Sequence, residues 1–208
     1  MQSTAVTGTE RNDVIRNLGL AALPDRDLFS RITVLASTML GCPIALLSVV
    51  EENRQWFLGR TGTDLLETRI EDSFCAVCVL IDGPLLIEDA SKDAHLTDNE
   101  LVIGPPFMRS YIAVPIRGEN GVVLGALCGI SPEPSAFRHD QIAPLAMLAE
   151  LAEQSIALHG RTRALSLANA ALQQSSQIFR QAERAVNVGS WRVDIATQRL
   201  HWSDQVYA

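Results

Sequence analysis

The first half of the chain shows one helical pattern followed by two β-type patterns. Apolar residues recur at three- and four-residue spacing over residues 28–39, which predicts an amphipathic helix that Pro24 opens and Gly41 ends. Two β-type runs follow at residues 44–51 and 54–60, with only two residues between them. Because that separation fits a tight hairpin, we expect the runs to pair as antiparallel strands.

A short helix and a strand come next. Ser73 suits the N-cap of a helix over residues 74–80, and a strand is predicted at 85–88 before a loop at 89–106. Two further β-type runs, at 111–117 and 122–130, flank an Asn-Gly pair that is typical of hairpins. Hairpins that alternate with covering helices predict an α+β fold with an antiparallel sheet.

From about residue 140 the pattern stays helical for more than forty residues. One apolar residue recurs at every seventh position: Leu151, Leu158, Leu165, Leu172, Phe179 and Val186. Such a heptad seam predicts a coiled coil, and therefore a homodimer through the helix 140–186. A long solvated helix lying on its own domain is the competing interpretation.

Two short β runs at 191–195 and 199–202 then predict a hairpin, followed by a helix start at Ser203-Asp204.

Charge and hydropathy exclude several functions. The net charge is −7, with 11 basic and 21 acidic residues in 1–159 against 6 and 3 in 160–208, so the basic surface of a nucleic-acid-binding protein is missing. The first twenty residues are polar, and the most apolar run, 39–50, is shorter than the roughly 20 residues that span a bilayer. We therefore expect a cytoplasmic protein with no membrane partner, whose four cysteines are thiols.

A series of motifs connects the chain to a known family. In order, they are Glu52-Asn53-Arg54-Gln55-Trp56-Phe57, Glu67-Thr68-Arg69, Asp72-Ser73-Phe74-Cys75, Leu86-Ile87-Glu88-Asp89-Ala90, Asn99 with Gly104-Pro105-Pro106, Arg109-Ser110-Tyr111-Ile112-Ala113-Val114-Pro115-Ile116, and 121–128. As a set they resemble the GAF domains of bacterial sensor kinases. The resemblance implies a sheet flanked by helices on one face, with a ligand cavity that loops help to form on the other.

The remaining segments also resemble signalling modules. Gly189-Ser190-Trp191 and Leu200-His201-Trp202-Ser203-Asp204 look like the opening of a PAS domain, and the heptad helix is similar to the signalling helices that join such modules. The predicted organisation is an N-terminal segment (1–25), a GAF sensory domain (26–158), a signalling coiled-coil helix (159–186) and the truncated start of a PAS domain (187–208).

Polar and aromatic residues within the GAF motifs are the candidate ligand-binding residues. They are Arg54, Trp56, Phe74, Asp89, Arg109 and Tyr111. A guanidinium such as that of Arg109 can bind a carboxylate or phosphate through two hydrogen bonds. A structural interpretation competes, since Trp56 and Phe74 also suit the core and the arginines also suit ion pairs with Asp72 or Asp89.

Three cysteines are candidates for redox or metal chemistry. Cys75 and Cys78 are three positions apart on a predicted helix and so share a face, and Cys128 lies on a predicted central strand. Together they would form a thiol cluster suited to redox sensing or a soft metal. Packing as small buried hydrophobic residues is the competing interpretation.

The ligand is unknown, but two classes are disfavoured by the resemblance. The Asn-Lys signature of cyclic-nucleotide GAF domains is missing, because the one lysine, Lys92, follows Ser91. Covalent bilin attachment uses a Cys supported by a His, whereas Cys75 is followed by Ala76 and Cys78 by Val79. On the long helix, His159 lacks the acidic residue and proline that follow a phosphoacceptor histidine.

The function that the resemblance implies is a cytoplasmic sensory input module of a multidomain bacterial sensor, with no catalytic module within these 208 residues. It would sense a small molecule or redox state and signal through a dimeric helix. The output expected from the resemblance is a histidine kinase, with a diguanylate cyclase as the second candidate. A different class of function is a GAF-fold thiol reductase of free methionine sulfoxide, with Cys75, Cys78 or Cys128 as nucleophile. A third interpretation is a ligand-free dimerisation domain.

Overall fold

A computed structural model describes residues 8–23, 26–93, 96–186, 190–195 and 197–202. The chain divides into two compact units after Gly160. In chain order the elements are α1 (Gly8–Leu18), α2 (Asp27–Leu40), β1 (Ile44–Val50), β2 (Arg54–Thr61), β3 (Glu67–Arg69), α3 (Phe74–Ile81), β4 (Leu85–Ile87), α4 (Glu100–Ile103), β5 (Ser110–Arg117), β6 (Val123–Ser131), α5 (Ile142–Val186), β7 (Trp191–Asp194) and β8 (Arg199–Trp202).

The first unit is built on a six-stranded sheet with the order β3-β2-β1-β6-β5-β4, in which every neighbouring pair is antiparallel. The hydrophobic runs at the centre account for this order, because β6 is buried along its whole length and β1 nearly so. The predicted antiparallel sheet and long C-terminal helix are confirmed.

The two faces of the sheet serve different purposes, because successive side chains on a strand point to opposite sides. On β1, Ala45, Leu47 and Val49 belong to a core shared with α2 and the first turns of α5. Their neighbours Leu46 and Val50 belong to a second core, which includes α3. The second face is the one that encloses the candidate site.

Local signals set several element ends where the sequence predicts them. Helix α2 stops at Gly41, whose φ of 67° is a left-handed conformation that glycine adopts without a steric penalty. Helix α3 begins after Ser73, whose hydroxyl accepts a hydrogen bond from the Ala76 N–H at 2.9 Å. The Asn-Gly turn joins β5 to β6, with Gly121 at a φ of 79°.

Two helices occur where the sequence pattern predicts none. Helix α1 lies in the N-terminal segment, where Ile15 is buried and the Arg11 side chain donates to the Val50 carbonyl at 2.9 Å. Helix α4 lies in the predicted loop 89–106, and its N-terminus is capped by Asn99, which accepts from the Leu101 N–H at 2.9 Å. Each helix has one fully buried residue, Ile15 in α1 and Val102 in α4.

Helix α5 runs through the predicted helix 140–186 as one element of 45 residues. Its first turns bury Leu145, Ala149, Ala152 and Ile156 against the sheet. The heptad residues Leu158, Leu165 and Leu172 are 66%, 65% and 69% exposed.

After α5, strands β7 and β8 pair as an antiparallel hairpin, as predicted. The predicted helix start at residues 203–204 lies outside the described residues. The assignment of this hairpin to a PAS domain stays a prediction.

The close approach of the two central strands gives a test of this packing. A Cβ on Gly125 would lie 1.9 Å from the Ser48 carbonyl oxygen, whereas a Cβ on Gly83 would lie 3.7 Å from the Ile81 carbonyl oxygen, an ordinary contact. We expect Gly125→Ala to lower the free energy of unfolding by about 3 kcal/mol, because β1 must move away from β6. Gly83→Ala is the matched control and should stay within about 0.5 kcal/mol. Urea denaturation measures both; equal midpoints would contradict the tight β1–β6 packing.

Candidate functional site

A cavity of about 340 Å³ lies on the second face of the sheet. Strands β1, β2, β5 and β6 form its floor, and α3, the β2–β3 segment and the α4 region form its walls. It is lined by Ile44, Leu46, Gln55, Phe57, Gly62, Thr63, Leu65, Thr68, Phe74, Cys75, Leu101, Pro105, Pro106, Met108, Tyr111, Cys128 and Ile130. Every one of these residues is uncharged. Gly62, Leu65 and Pro105 are exposed, so the cavity reaches solvent beside them.

A few polar groups stand among the apolar lining. Gln55 is buried on β2, and its side-chain oxygen accepts a hydrogen bond from the Ser73 hydroxyl. The Thr68 hydroxyl oxygen on β3 is buried and has no hydrogen-bond partner within the described part of the chain. Because a buried polar group is stabilised by a partner, Thr68 is an available hydrogen-bonding position for a ligand.

The deepest polar cluster is a pair of thiols beside a phenol. The Sγ atom of Cys75 on α3 lies 3.1 Å from the Tyr111 hydroxyl on β5 and 3.7 Å from the Sγ atom of Cys128 on β6. All three side chains are buried, and the Phe74 ring packs against Tyr111 with 5.4 Å between ring centroids. The cluster brings together residues that are 53 positions apart in the chain.

This cluster makes its two thiols inequivalent. The hydrogen bond with Cys128, helped by the one with Tyr111, lowers the pKa of Cys75 although burial opposes it. The same hydrogen bond, together with burial, raises the pKa of Cys128 well above its ordinary value. Burial likewise raises the pKa of Tyr111, so its hydroxyl remains protonated and can donate to a thiolate. Cys75 is therefore the thiol of the pair with the lower pKa, the property that favours a thiolate.

The third candidate cysteine lies apart from this cluster. Cys78 is buried on α3 and its thiol donates to the Gly83 carbonyl at 3.2 Å. Burial, with the nearby Cys75, raises its pKa to about 12. Among the described residues no group of three or more His, Cys, Asp or Glu side chains is placed to hold a metal ion.

Two of the predicted ligand-binding residues, Phe74 and Tyr111, line the cavity, but Arg54 and Trp56 do not. Arg54 forms ion pairs with Glu51 and Glu67, both at 2.9 Å. Trp56 faces the helix-covered side of the sheet, where its indole N–H donates to Glu51 at 3.0 Å. Their ligand-binding role stays a prediction.

Asp89 and Arg109 also lie outside the cavity lining. Asp89 accepts hydrogen bonds from the backbone and hydroxyl of Ser91 and pairs with Lys92 at 3.0 Å. Arg109 donates to the carbonyls of Val102 and Met108, each at 3.0 Å. Both side chains hold the segment between β4 and β5 in place, and that segment carries one wall of the cavity.

Three hydrogen-bonding residues of the cavity, Gln55, Thr63 and Thr68, are not among the candidates that the sequence motifs suggest. Gln55 has a usable signal, because it precedes Trp56 on a strand and therefore faces the opposite side of the sheet. No local sequence pattern marks Thr63 and Thr68 as cavity residues. They line the cavity because of the course that the chain takes from β2 to β3.

The first unit is therefore an antiparallel sheet with α1, α2 and the first turns of α5 on one face, and with α3 and a solvent-connected cavity on the other. Residues 26–156 match the GAF domain family, and the chain therefore belongs to that family. It is also 36% identical over 124 residues to a cyclic di-GMP phosphodiesterase of Pseudomonas aeruginosa, a match that covers 60% of this chain. The match spans only 21% of the length of that relative.

Solved structures share the fold at low identity. The free methionine-R-sulfoxide reductase of Neisseria meningitidis, solved with its substrate, has a TM-score of 0.54 at 15% identity, covering 78% of this chain and 95% of that one. The PixJ GAF domain of Thermosynechococcus elongatus, in its blue-light-absorbing form, has a TM-score of 0.53 at 16% identity, covering 72% and 92%. These similarities establish the fold.

In the described part of the chain, no helix has the length and apolar character needed to cross a membrane.

The inequivalence of the thiols predicts an order of chemical labelling. We expect N-ethylmaleimide to modify Cys75 at least about tenfold faster than Cys42 or Cys78, because Cys75 lines the cavity and has the lowered pKa. We expect a negatively charged methanethiosulfonate to modify Cys75 much more slowly than an uncharged methanethiosulfonate does, because the cavity holds no counter-ion for the charge. Peptide mass spectrometry over a time course measures the order. Faster labelling of Cys42 or Cys78 would contradict this description of the site.

Proposed function

We propose that this GAF domain is a sensory input domain whose cavity binds a small, uncharged and largely apolar molecule. The observation that carries the proposal is the uniformly uncharged lining of the 340 Å³ cavity. Burying apolar ligand surface there contributes about 25 cal/mol per Å². Gln55, Thr63 and Thr68 supply hydrogen bonds that would orient the molecule.

The same lining argues against a thiol reductase. The pair Cys75 and Cys128 in the cavity is the feature that favours such an enzyme. However, free methionine sulfoxide carries both an ammonium and a carboxylate group, and an unpaired buried charge costs several kcal/mol. The described lining residues offer neither charge a counter-ion. We therefore prefer a sensory function.

We further propose that the signal leaves the domain along α5 in a homodimer. The early turns of α5 pack on the sheet. Further along the helix, the heptad residues Leu165 and Leu172 are seven positions apart, and both are exposed. A second copy of the helix is the natural partner for a heptad seam. A ligand that favours one of two helix arrangements would shift the output.

For the output we propose control of cyclic di-GMP turnover. The support is the 36% identity with part of a cyclic di-GMP phosphodiesterase. A diguanylate cyclase output belongs to the same signalling chemistry, whereas the histidine kinase output stays a prediction from family resemblance. A cytoplasmic location, where the four free buried cysteines remain reduced, agrees with this proposal.

Ligand binding can be tested with the uncharged fluorescent probe N-phenyl-1-naphthylamine. We expect saturable binding with increased fluorescence, and at least a tenfold weaker affinity for Leu101→Trp, because the larger side chain fills the cavity. Ile103→Trp is the matched control on the same helix, since Ile103 is exposed and does not line the cavity. Equal affinity of the two variants would sink the proposed binding site.

The dimeric helix can be tested by disulfide crosslinking of single introduced cysteines. Leu165→Cys and Leu172→Cys should each give a covalent dimer under mild oxidation, because both lie on the seam. Leu167→Cys is the matched control, as Leu167 is exposed but off the seam. Non-reducing gel electrophoresis measures the dimer. Crosslinking that is absent from all three, or equal in all three, would rule out the proposed seam.

A further inference from the structure

The wall of the cavity contains two thiols that are close but not bonded. Cys75 and Cys128 lie on different elements, α3 and β6, with 3.7 Å between their sulfur atoms. A disulfide requires about 2.05 Å, so the sulfurs must approach by roughly 1.7 Å. Cys75 lies in the first turn of α3, whereas the strand of Cys128 is held on both sides by the sheet, so the approach would have to come mainly from the Cys75 side.

The surroundings of the pair fit thiol oxidation. Cys75 has a lowered pKa and sits beside two groups, the Cys128 thiol and the Tyr111 hydroxyl, that can donate to its thiolate. Both sulfurs border a cavity that reaches solvent at Leu65, so a small oxidant has a path to them although the residues are buried. Reactive cysteines need both features, a stabilised thiolate and access.

We propose that Cys75 and Cys128 are a modification site that forms a reversible disulfide when a hydroperoxide enters the cavity. The Cys75 thiolate attacks the outer peroxide oxygen, the O–O bond breaks, and the leaving oxygen takes the proton released from Cys75 to give an alcohol or water. The sulfur of Cys128 then attacks the sulfenic acid on Cys75. The S–S bond forms, the S–O bond breaks, and the departing hydroxide leaves as water with the proton of Cys128.

The net reaction is two thiols and one hydroperoxide giving one disulfide, one alcohol or water, and one further water. A thiol reductant reverses it by exchange. Cys42 and Cys78 take no part, because Cys78 is held at Gly83 and Cys42 lies in the core on the opposite face of the sheet. The disulfide would draw α3 toward β6 across the cavity, and the resulting change in ligand affinity rests on the proposed sensory function.

The test uses the native chain. The reduced protein is exposed to hydrogen peroxide, then denatured and alkylated, and its thiols are counted and mapped by mass spectrometry. Of the four thiols, we expect two to remain, with Cys75 linked to Cys128 and full recovery after dithiothreitol. Cys42→Ser and Cys78→Ser are matched controls that should still form the bond. Four remaining thiols, a bond to another cysteine, or irreversible oxidation of Cys75 alone would each overturn the proposal.

Tyr111→Phe tests whether the Tyr111 hydroxyl stabilises and positions the Cys75 thiolate. Loss of the hydroxyl 3.1 Å from Cys75 should slow disulfide formation about tenfold at neutral pH and move the rate profile to higher pH, because the thiolate loses a donor. An unchanged profile would overturn that role of Tyr111.

Measuring N-phenyl-1-naphthylamine affinity before and after oxidation separates the two proposals. If the disulfide forms but the protein does not bind the probe, the disulfide proposal is supported and the ligand-binding proposal is contradicted. If the probe binds but no disulfide forms, the ligand-binding proposal is supported and the disulfide proposal is contradicted. If both occur, we expect at least about a threefold change in affinity, and an equal affinity in both states would overturn the coupling.

Discussion

The pairing of β1 with β6 is the constraint on which the rest of the structure depends. These strands form the centre of the sheet, and Gly125 allows the backbone of β1 to approach where any side chain would collide with Ser48. Ser48 in turn uses its hydroxyl twice, donating to the Ala126 carbonyl at 3.1 Å and accepting from the Ala126 N–H at 3.3 Å. A polar side chain is thereby satisfied within a fully buried strand pair.

This central pair divides the domain into two chemically different halves. Odd-numbered residues of β1 face α2 and the first turns of α5, whereas even-numbered residues face the side that holds α3 and the cavity. The same side of the sheet holds the hydroxyl of Ser48 and the thiol of Cys128 on adjacent strands. The Cys75 sulfur lies 3.7 Å from the Cys128 sulfur. Close packing is therefore interrupted on the cavity face, where the lining is largely apolar with a few neutral polar groups and no charged residue.

The elements with local signals could be predicted from the sequence, and so could four residues that line the cavity: Phe74, Cys75, Tyr111 and Cys128. The rest of the site could not. Helix α2, the two hairpins, α3 and the long helix each have a periodic pattern with a cap or a turn residue. The site depends on contacts between distant segments. Arg109 suggests an anion site by residue type, yet its partners are carbonyls of the preceding loop, whose path no local pattern specifies. Trp56 is a candidate by residue type as well, whereas strand parity places it on the face opposite Gln55.

The first turns of α5 are the part of the long helix that contacts the sheet, and the proposed signal path depends on that contact. The early turns of α5 cover the helix-facing side of the same strands that form the cavity floor. They are also fixed to β5 by a polar contact, because the Glu153 carboxylate accepts from the Arg117 N–H at 2.7 Å. Glu153 is half-buried, and this burial raises the pKa of its carboxyl group although the hydrogen bond from Arg117 lowers it. A shift of the end of β5 would therefore either move the first turns of α5 or break this contact. Helix α5 continues without a break from Ile142 to Val186, so in the proposed dimer a rotation of its first turns would change the register of its later heptad residues.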